Sequence, residues 1–247
     1  MKPLQLRPRT AALVGLYLVL LHAVLAFVLL KTNFVPLARK TLGLAPPEER
    51  NVALYQAMLQ WPARDVQVPA GAIVVLGDSL LQDLSSEQLG REVHSFALGG
   101  TTASTLLEGL ALVPSVQRAR AIVLGVGAND LKYRDPEGVA CDYASVLAAL
   151  PAHIDVIAVP VLPIDEHCAA IRERPYLSNE RIARLDHLLE GCCAGRPRTR
   201  RVDISELVDS DGGLRPDLHA GDGWHLSDAG DLVLGRAIAR ELDALGR

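Results

Sequence analysis

An alternation of strand-like and helix-like runs after Ala70 constrains the fold of this chain more than any other sequence feature. The first run, Ala72–Leu76, is continuously apolar and rich in β-branched residues, which is the pattern of a strand buried on both faces of a parallel sheet. Four later runs also have strand-like character: Val93–Leu98, Ala121–Val126, Ile154–Val161 and Arg201–Ile204.

Helix-like runs separate these strands and close the sequence: Ser104–Val116, Gly138–Leu150, Asn179–Leu189 and Ser227–Leu245. The last run carries an apolar stripe at helical spacing, formed by Leu234, Ile238, Leu242 and Leu245. Ser227 precedes it and is a residue type that caps helix N-termini. The alternation predicts an α/β domain over residues 71–247, with a doubly wound, flavodoxin-like, parallel five-stranded sheet and helices on both faces.

The N-terminal region predicts a membrane anchor. Residues 11–30 contain no formally charged side chain and match the length that crosses a bilayer. A cleaved signal peptide is the alternative, with a cleavage site near Ala26, but the apolar run continues to Leu30. We expect residues 1–10 to form a cytoplasmic tail, because the amino terminus adds one positive charge to that side. The domain would then lie on the periplasmic side of the cell inner membrane.

Residues 31–70 are predicted to be a linker, interrupted by several prolines. Within it, Glu48–Trp61 has the pattern of a short amphipathic helix that either packs on the domain or lies near the membrane surface. The formal net charge of −4 and the aromatic content of 4% argue against a nucleic-acid partner.

Polar residues follow the predicted strands where each one ends. Ser79 comes directly after Gly77 and Asp78, at the end of the first strand, and open α/β sheets place their chemistry at this edge. Ser79 is therefore a candidate nucleophile, with a turn or helix-capping serine as the alternative. Gly99-Gly100 follows the second strand and could bring backbone N–H groups close to an anion. Asn129 follows the third strand and offers an amide donor that does not titrate.

The segment from Asp222 to His225 adds a carboxylate three residues before an imidazole. At this spacing the carboxylate can accept a hydrogen bond from Nδ1–H of His225 and leave Nε2 free as a general base. Each of these groups also has a structural alternative: Gly99-Gly100 as a tight turn, and Asn129 and Asp222 as helix caps.

The four segments together resemble the four sequence blocks of the SGNH (GDSL) hydrolase superfamily, in the same order. They are Gly77-Asp78-Ser79-Leu80, Gly99-Gly100-Thr101-Thr102, Gly127-Ala128-Asn129-Asp130 and Asp222-Gly223-Trp224-His225. The resemblance covers the chain from Ala70 onward. It implies a serine esterase in which Ser79 is the nucleophile, His225 the base, and Asp222 the group that orients the imidazole.

The same resemblance implies an oxyanion hole made of the Ser79 N–H, the Gly100 N–H and the Asn129 amide. Gly100 is preferred to Gly99 because the family's glycine precedes a polar residue and a threonine. Asp78 and Asp130 are expected to be structural. The expected chemistry needs no metal or cofactor. The sequence has no Gly-x-Ser-x-Gly motif, and this disfavours the α/β-hydrolase fold.

Many extracytoplasmic members of this superfamily act on O-acyl groups of cell-envelope glycans, so an acetyl-sugar esterase is expected by analogy. An O-acyltransferase with a sugar acceptor, a lipid or thioester substrate, and a non-catalytic glycan-binding or assembly protein are the alternatives.

Five remaining features have weaker interpretations. The cluster at 165–168 matches no standard zinc spacing, and the acidic turn at 209–213 lacks the final glutamate of a calcium loop. The basic run 196–201 is interpreted as a solvated loop, with contact to anionic glycan or lipid headgroups as the alternative. Segment 163–178 is long for a loop and is expected to overhang the site and shape substrate choice. Disulfides are possible outside the cytoplasm among Cys141, Cys168, Cys192 and Cys193.

Overall fold

The structure, a computed structural model, describes residues 14–15, 17–22, 24 and 52–245. Two compact units divide the chain, Met1–Arg50 and Asn51–Arg247. The described residues of the first unit are helical, and their apolar side chains are exposed. Much of the predicted span 11–30, together with the tail and residues 31–50, lies outside the described residues. Within the described part, no helix has the length and apolar character needed to cross a bilayer.

The second unit contains a five-stranded sheet in which every pair of neighbouring strands is parallel. The strands are β1 (Ile73–Gly77), β2 (His94–Ser95), β3 (Ala121–Gly125), β4 (Asp155–Ala158) and β5 (Thr199–Arg201). Their spatial order is β2-β1-β3-β4-β5. This is the flavodoxin-like order, with the topological switch point between β1 and β3, so the predicted five-stranded parallel α/β sheet is confirmed.

Nine α-helices lie within residues 52–245: α1 (Val52–Met58), α2 (Trp61–Asp65), α3 (Ser79–Gln82), α4 (Ser86–Leu89), α5 (Ala103–Gly109), α6 (Pro136–Ala149), α7 (Ala169–Arg172), α8 (Asn179–Ala194) and α9 (Asp228–Ala244). Successive residues of β1 point to opposite faces of the sheet, so Val74 and Leu76 join one buried cluster while Ile73 and Val75 join the other. Helices therefore cover both faces.

The predicted terminal helix is present, and its cap is the predicted one. Ser227 Oγ accepts a hydrogen bond from the Gly230 N–H at 3.3 Å at the start of α9. Leu234, Ile238 and Leu242 of the predicted stripe are 1%, 0% and 2% exposed. The helical spacing of apolar residues in the sequence therefore predicted the buried face of α9 correctly.

The last strand lies earlier in the sequence than predicted. β5 is Thr199–Arg201, whereas the apolar pattern had indicated Arg201–Ile204. The interpretation of residues 196–201 as a solvated loop is therefore wrong, because the strand lies within this run. Three of its four guanidinium groups are also paired: Arg198, Arg200 and Arg201 contact acidic side chains at 2.7 Å. Pairing with acidic side chains leaves little free positive charge for anionic headgroups.

The core of the second unit extends N-terminal to the predicted boundary at residue 71. Leu54, Met58 and Trp61, in the stretch predicted as linker, are 4%, 2% and 0% exposed. A Cβ atom on Gly109 would lie 2.4 Å from Met58 Cε and 2.5 Å from Trp61 Cζ3. Of the two placements considered for this stretch, packing on the domain is therefore the one observed.

Candidate active site

The turn that carries Ser79 is built at the close contact between β1 and β3. A Cβ atom on Gly77 would lie 2.4 Å from the backbone oxygen of Gly125, so only glycine fits there. Asp78 then donates its N–H to Gly125 O at 3.1 Å, and its Oδ1 accepts the Leu80 N–H at 3.0 Å as the N-cap of α3. Ser79 is thereby fixed as the first residue of α3, at the carboxyl edge of the sheet. Asp78 has the structural role expected for it.

Three side chains from distant parts of the sequence form a continuous hydrogen-bonded chain at this edge. His225 Nε2 lies 3.1 Å from Ser79 Oγ, and His225 Nδ1 lies 2.7 Å from Asp222 Oδ2. Asp222 Oδ1 accepts the backbone N–H groups of Trp224 and His225 at 2.9 and 2.8 Å. Two backbone hydrogen bonds hold one carboxylate oxygen, and the other oxygen faces the imidazole.

This arrangement determines which nitrogen of His225 can act as a base. Partial burial would raise the pKa of Asp222, but hydrogen bonds from His225 and from the backbone outweigh it and hold that pKa below its usual range. An ionised Asp222 accepts a proton-bearing Nδ1, which leaves the lone pair of Nε2 directed at Ser79 Oγ. The geometry is that of a serine hydroxyl whose proton can be taken by an imidazole.

The glycine segment and Asn129 lie beside the serine. The Gly99 N–H donates to Gln82 Oε1 at 2.6 Å and is therefore occupied. Among the residues that the structure describes, neither the Gly100 N–H nor the Ser79 N–H has a hydrogen-bond acceptor. Asn129 Nδ2 donates one hydrogen to Thr101 O at 3.2 Å, which orients the amide and leaves its second hydrogen available. Of the two glycines, Gly100, with φ of +83°, is therefore the one whose N–H is available to a ligand, and its role as an oxyanion donor stays a prediction.

Two buried carboxyl groups lie beneath this edge. Burial raises the pKa of Asp130 to about 7, and the nearby Asp78 carboxylate adds to this shift. Burial also raises the pKa of Asp78, to about 6. Both oxygens of Asp130 accept the Ala103 N–H, which places this residue at the start of α5. Asp130 is structural, as expected.

Segment 163–178 contains α7 and lies against the loop that carries Asp222. The Arg174 guanidinium lies 5.4 Å from the centre of the Trp224 ring, and its Nη1 lies 3.8 Å from Asp222 Oδ2. Trp224 in turn stacks on the His225 ring, with centroids 5.0 Å apart. The segment therefore contacts the loop of Asp222, whereas its overhang of Ser79 and its influence on substrate choice stay predictions.

Sequence reasoning missed three groups that contact the site: Gln82, Arg174 and His219. Gln82 accepts a hydrogen bond from the Gly99 N–H, and the Arg174 guanidinium lies over the Trp224 ring. His219 accepts a hydrogen bond from the backbone N–H of Gly221, next to Asp222. Only Arg174 had a sequence signal, since it lies in the long segment 163–178. The other two are recognisable only through partners that are distant in sequence.

The remaining candidate features have structural roles in the described residues. In the 165–168 cluster, the Glu166 carboxylate accepts the Asn179 N–H at 2.7 Å, at the start of α8. Asp209 Oδ1 accepts the N–H groups of Asp211 and Gly213 at 2.9 Å and closes a polar turn. All four cysteines are free thiols, so none of the disulfides considered is formed.

Comparison with known proteins places this site in a family. The sequence profile of the GDSL-like Lipase/Acylhydrolase family matches residues 71–232. No curated protein sequence matches the chain significantly. A structure described as a platelet activating factor from Streptococcus pneumonia is similar, with a TM-score of 0.70 and 19% identity over 76% of this chain and 92% of that one.

Two further structures share the fold. An acylhydrolase from Bacteroides fragilis has a TM-score of 0.62 and 19% identity, covering 76% of this chain and 97% of its own. A carbohydrate esterase family 3 protein from Talaromyces cellulolyticus has a TM-score of 0.55 and 18% identity, covering 70% of this chain and 97% of its own. With the family profile spanning most of its length, this chain belongs to the GDSL-like lipase/acylhydrolase family and is an enzyme of the serine hydrolase type.

Proposed function

We propose that this protein is a membrane-anchored esterase that removes short O-acyl groups, acetyl above all, from cell-envelope glycans. Ser79 is the nucleophile, His225 the general base and acid, and Asp222 the residue that orients the imidazole. The observation that carries the proposal is the unbroken hydrogen-bonded chain from Ser79 through His225 to Asp222, with distances of 3.1 and 2.7 Å.

The proposed reaction begins when Ser79 Oγ attacks the ester carbonyl carbon and His225 Nε2 takes the hydroxyl proton. The carbonyl oxygen becomes an oxyanion that accepts hydrogen bonds from the N–H groups of Ser79 and Gly100 and from the Asn129 amide. When the tetrahedral intermediate collapses, the carbon–oxygen bond to the alcohol breaks and His225 returns the proton to that alcohol. Water then attacks the acyl-serine by the same route and releases the acid.

The surface next to the nucleophile is apolar. Asp78 and Leu80, the two neighbours of Ser79, border a shallow depression, and most of its other lining residues are apolar: Leu81, Gly125, Val126, Ala128, Val159, Pro160 and Val161. Such a surface suits the alkyl part of an acyl group, and acetyl is proposed by analogy with members of the family that act on glycans. The name of the Talaromyces cellulolyticus structure, a carbohydrate esterase, supports a sugar as the alcohol half of the substrate.

The anchor is proposed from the sequence of residues 11–30, in which a charge-free apolar run has the length of a bilayer core. The exposed apolar side chains of the helical residues in this region, such as Val19 at 66%, support it. Membrane fractions washed with alkaline carbonate should retain the full chain. Protease added to spheroplasts should digest the domain if it lies outside the cytoplasm, whereas protection would place it on the cytoplasmic side.

Hydrolysis of p-nitrophenyl acetate by the full chain in detergent, compared with its Ser79→Ala variant, tests the chemistry. We expect the variant to lose nearly all activity, and a fluorophosphonate probe to label Ser79 in the wild type alone. Equal activity in the two proteins would contradict the proposal. Absence of activity in both, with retained glycan binding, would instead indicate a binding protein.

Acetylated and deacetylated envelope polysaccharides then test the substrate class. Release of acetate from the acetylated polymer by wild type but not by Ser79→Ala supports the proposed esterase. Transfer of the acetyl group from p-nitrophenyl acetate to the deacetylated polymer, in place of hydrolysis, would indicate an acyltransferase.

A further inference from the structure

A second imidazole–carboxylate pair adjoins the turn that carries Asp222, and it is largely shielded from solvent. His219 Nε2 is 3.2 Å from Asp165 Oδ2, and the two side chains are only 9% and 11% exposed. The proposed chemistry uses neither residue. A buried histidine with fully engaged ring nitrogens has a defined tautomer, and that tautomer can be read from its partners.

The other ring nitrogen of His219 accepts two backbone hydrogen bonds. His219 Nδ1 lies 2.9 Å from the Gly221 nitrogen and 3.2 Å from the Gly223 nitrogen. Because backbone N–H groups can only donate, Nδ1 must carry a lone pair. The proton of the neutral ring is then on Nε2, which donates to Asp165. These two glycines are the immediate neighbours of Asp222 on both sides.

The backbone that His219 binds has a conformation that ordinary residues rarely adopt. Gly221 and Gly223 have φ values of +92° and +74°. The Asp165 N–H also donates to Gly223 O at 2.8 Å, and a Cβ atom on Gly223 would lie 2.6 Å from Cys168 Cβ. The turn that presents Asp222 is therefore clamped both by His219 and by residues 165–168.

We infer that His219, held by Asp165, is a positioning residue for the reaction: it fixes the turn 221–223 so that Asp222 stays within hydrogen-bond distance of His225. This inference rests on the proposed function. It assigns a role to the 165–168 cluster, which has no metal-site spacing but supplies the carboxylate of the clamp. His219 acts through Asp222 and does not itself contact the reacting atoms.

Loss of the clamp should affect the chemical step and leave ester binding unchanged. His219→Leu removes both the acceptor and the donor of the ring, so the turn can relax and the carboxylate can move away from His225. A displacement of about 1 Å in a catalytic group can lower a rate roughly 100-fold. We expect kcat for p-nitrophenyl acetate to fall by about 10- to 100-fold, with KM little changed.

A conservative variant separates positioning from general destabilisation. In His219→Asn the amide oxygen occupies the place of Nδ1 and can accept the two glycine N–H groups, although the side chain is too short to reach Asp165. We expect His219→Asn to recover most of the lost kcat. His187→Leu is the matched control, because the His187 side chain is 75% exposed on α8, and it should leave kcat at the wild-type value.

A double-mutant cycle with Asp222→Ala tests whether His219 acts through that carboxylate. If it does, adding His219→Leu to Asp222→Ala should cost nothing further in kcat. Losses that multiply would overturn the inference, as would a His219→Leu enzyme with kcat within about twofold of wild type. Circular dichroism shows whether His219→Leu folds. If it does not fold, the test passes to His219→Asn, and a folded His219→Asn enzyme with no activity overturns the inference. Retained activity in Ser79→Ala would overturn the proposed function itself, and the inference with it.

Discussion

Asp130 receives the N–H of Ala103 on both of its carboxylate oxygens, each at 3.1 Å, while only 1% of the residue is exposed. The hydrogen bonds favour the ionised carboxylate, but burial dominates and raises the pKa of Asp130 to about 7. The native state therefore binds a proton more tightly than the unfolded chain does. Below the unfolded pKa of 3.8 Asp130 is protonated in both states and does not lower the free energy of unfolding. As the pH rises toward 7, only the unfolded chain loses this proton, so the free energy of unfolding falls.

Asp130→Asn should flatten the pH dependence of stability. The amide oxygen can still accept the Ala103 N–H, and the variant carries no charge to bury. Between pH 5 and pH 8 we expect the unfolding free energy of the wild type to fall by about 2–3 kcal/mol more than that of the variant. Urea unfolding at the two pH values measures this difference. Parallel pH profiles for the two proteins would show that Asp130 does not titrate in this range.

Asn129→Ala should slow the chemical step while leaving the fold intact. The variant loses one of three proposed oxyanion donors, which costs about 3 kcal/mol in the barrier, or roughly 100- to 1,000-fold in kcat. Steady-state kinetics with p-nitrophenyl acetate measure the change in kcat. Lys132→Ala is the control, because Lys132 is an exposed residue close to Asn129 in the sequence. A kcat within threefold of wild type would remove Asn129 from the proposed oxyanion hole.

Trp61→Ala should destabilise the domain although the residue lies in the stretch predicted as linker. The indole is 0% exposed and packs edge-on against Phe96 at 5.8 Å, so truncation leaves a large cavity. We expect a loss of about 3–5 kcal/mol in the free energy of unfolding. Leu59→Ala, at a neighbouring side chain that is 68% exposed, should change it by less than about 0.5 kcal/mol. Equal effects of the two changes would contradict the packing described.

Arg174→Met should reduce kcat/KM only modestly. The guanidinium is 31% exposed and 3.8 Å from Asp222, and an ion pair of this exposure contributes about 1 kcal/mol or less, equivalent to at most about fivefold. Arg174→Lys should lose less than Arg174→Met, because its ammonium keeps a positive charge near Asp222 although it cannot replace the planar group over Trp224. A loss of 100-fold, measured with the same ester, would mean that Arg174 contacts substrate directly.

The strand order and the location of the site could be predicted from the sequence for a clear physical reason. β1 and β3 are buried along their whole length, so their apolar runs are unambiguous, and each ends in a polar segment at the switch point. The geometry at Ser79, His225 and Asp222 agrees with the motif spacing. The catalytic roles of these residues stay predictions until the variants are measured.

The elements that could not be predicted depend on partners far apart in the sequence. β5 is an edge strand of polar residues, and its arginines are neutralised by Asp186 of α8 and Glu241 of α9. No local pattern indicates such pairing. The same holds for His219, whose proposed role depends on Asp165, more than fifty residues away, and for Trp61, whose aromatic partner Phe96 lies beyond the first two strands of the sequence.

The stacking of Trp224 on His225 gives the site an optical signal of its own. The chain has two tryptophans, and Trp61 is enclosed in the core, so its emission reports on folding. Trp224 contacts both the His225 imidazole and the Arg174 guanidinium, and its fluorescence should respond to the charge on His225. Stopped-flow emission after mixing with an ester would then follow proton movement during turnover, with no label attached to the protein.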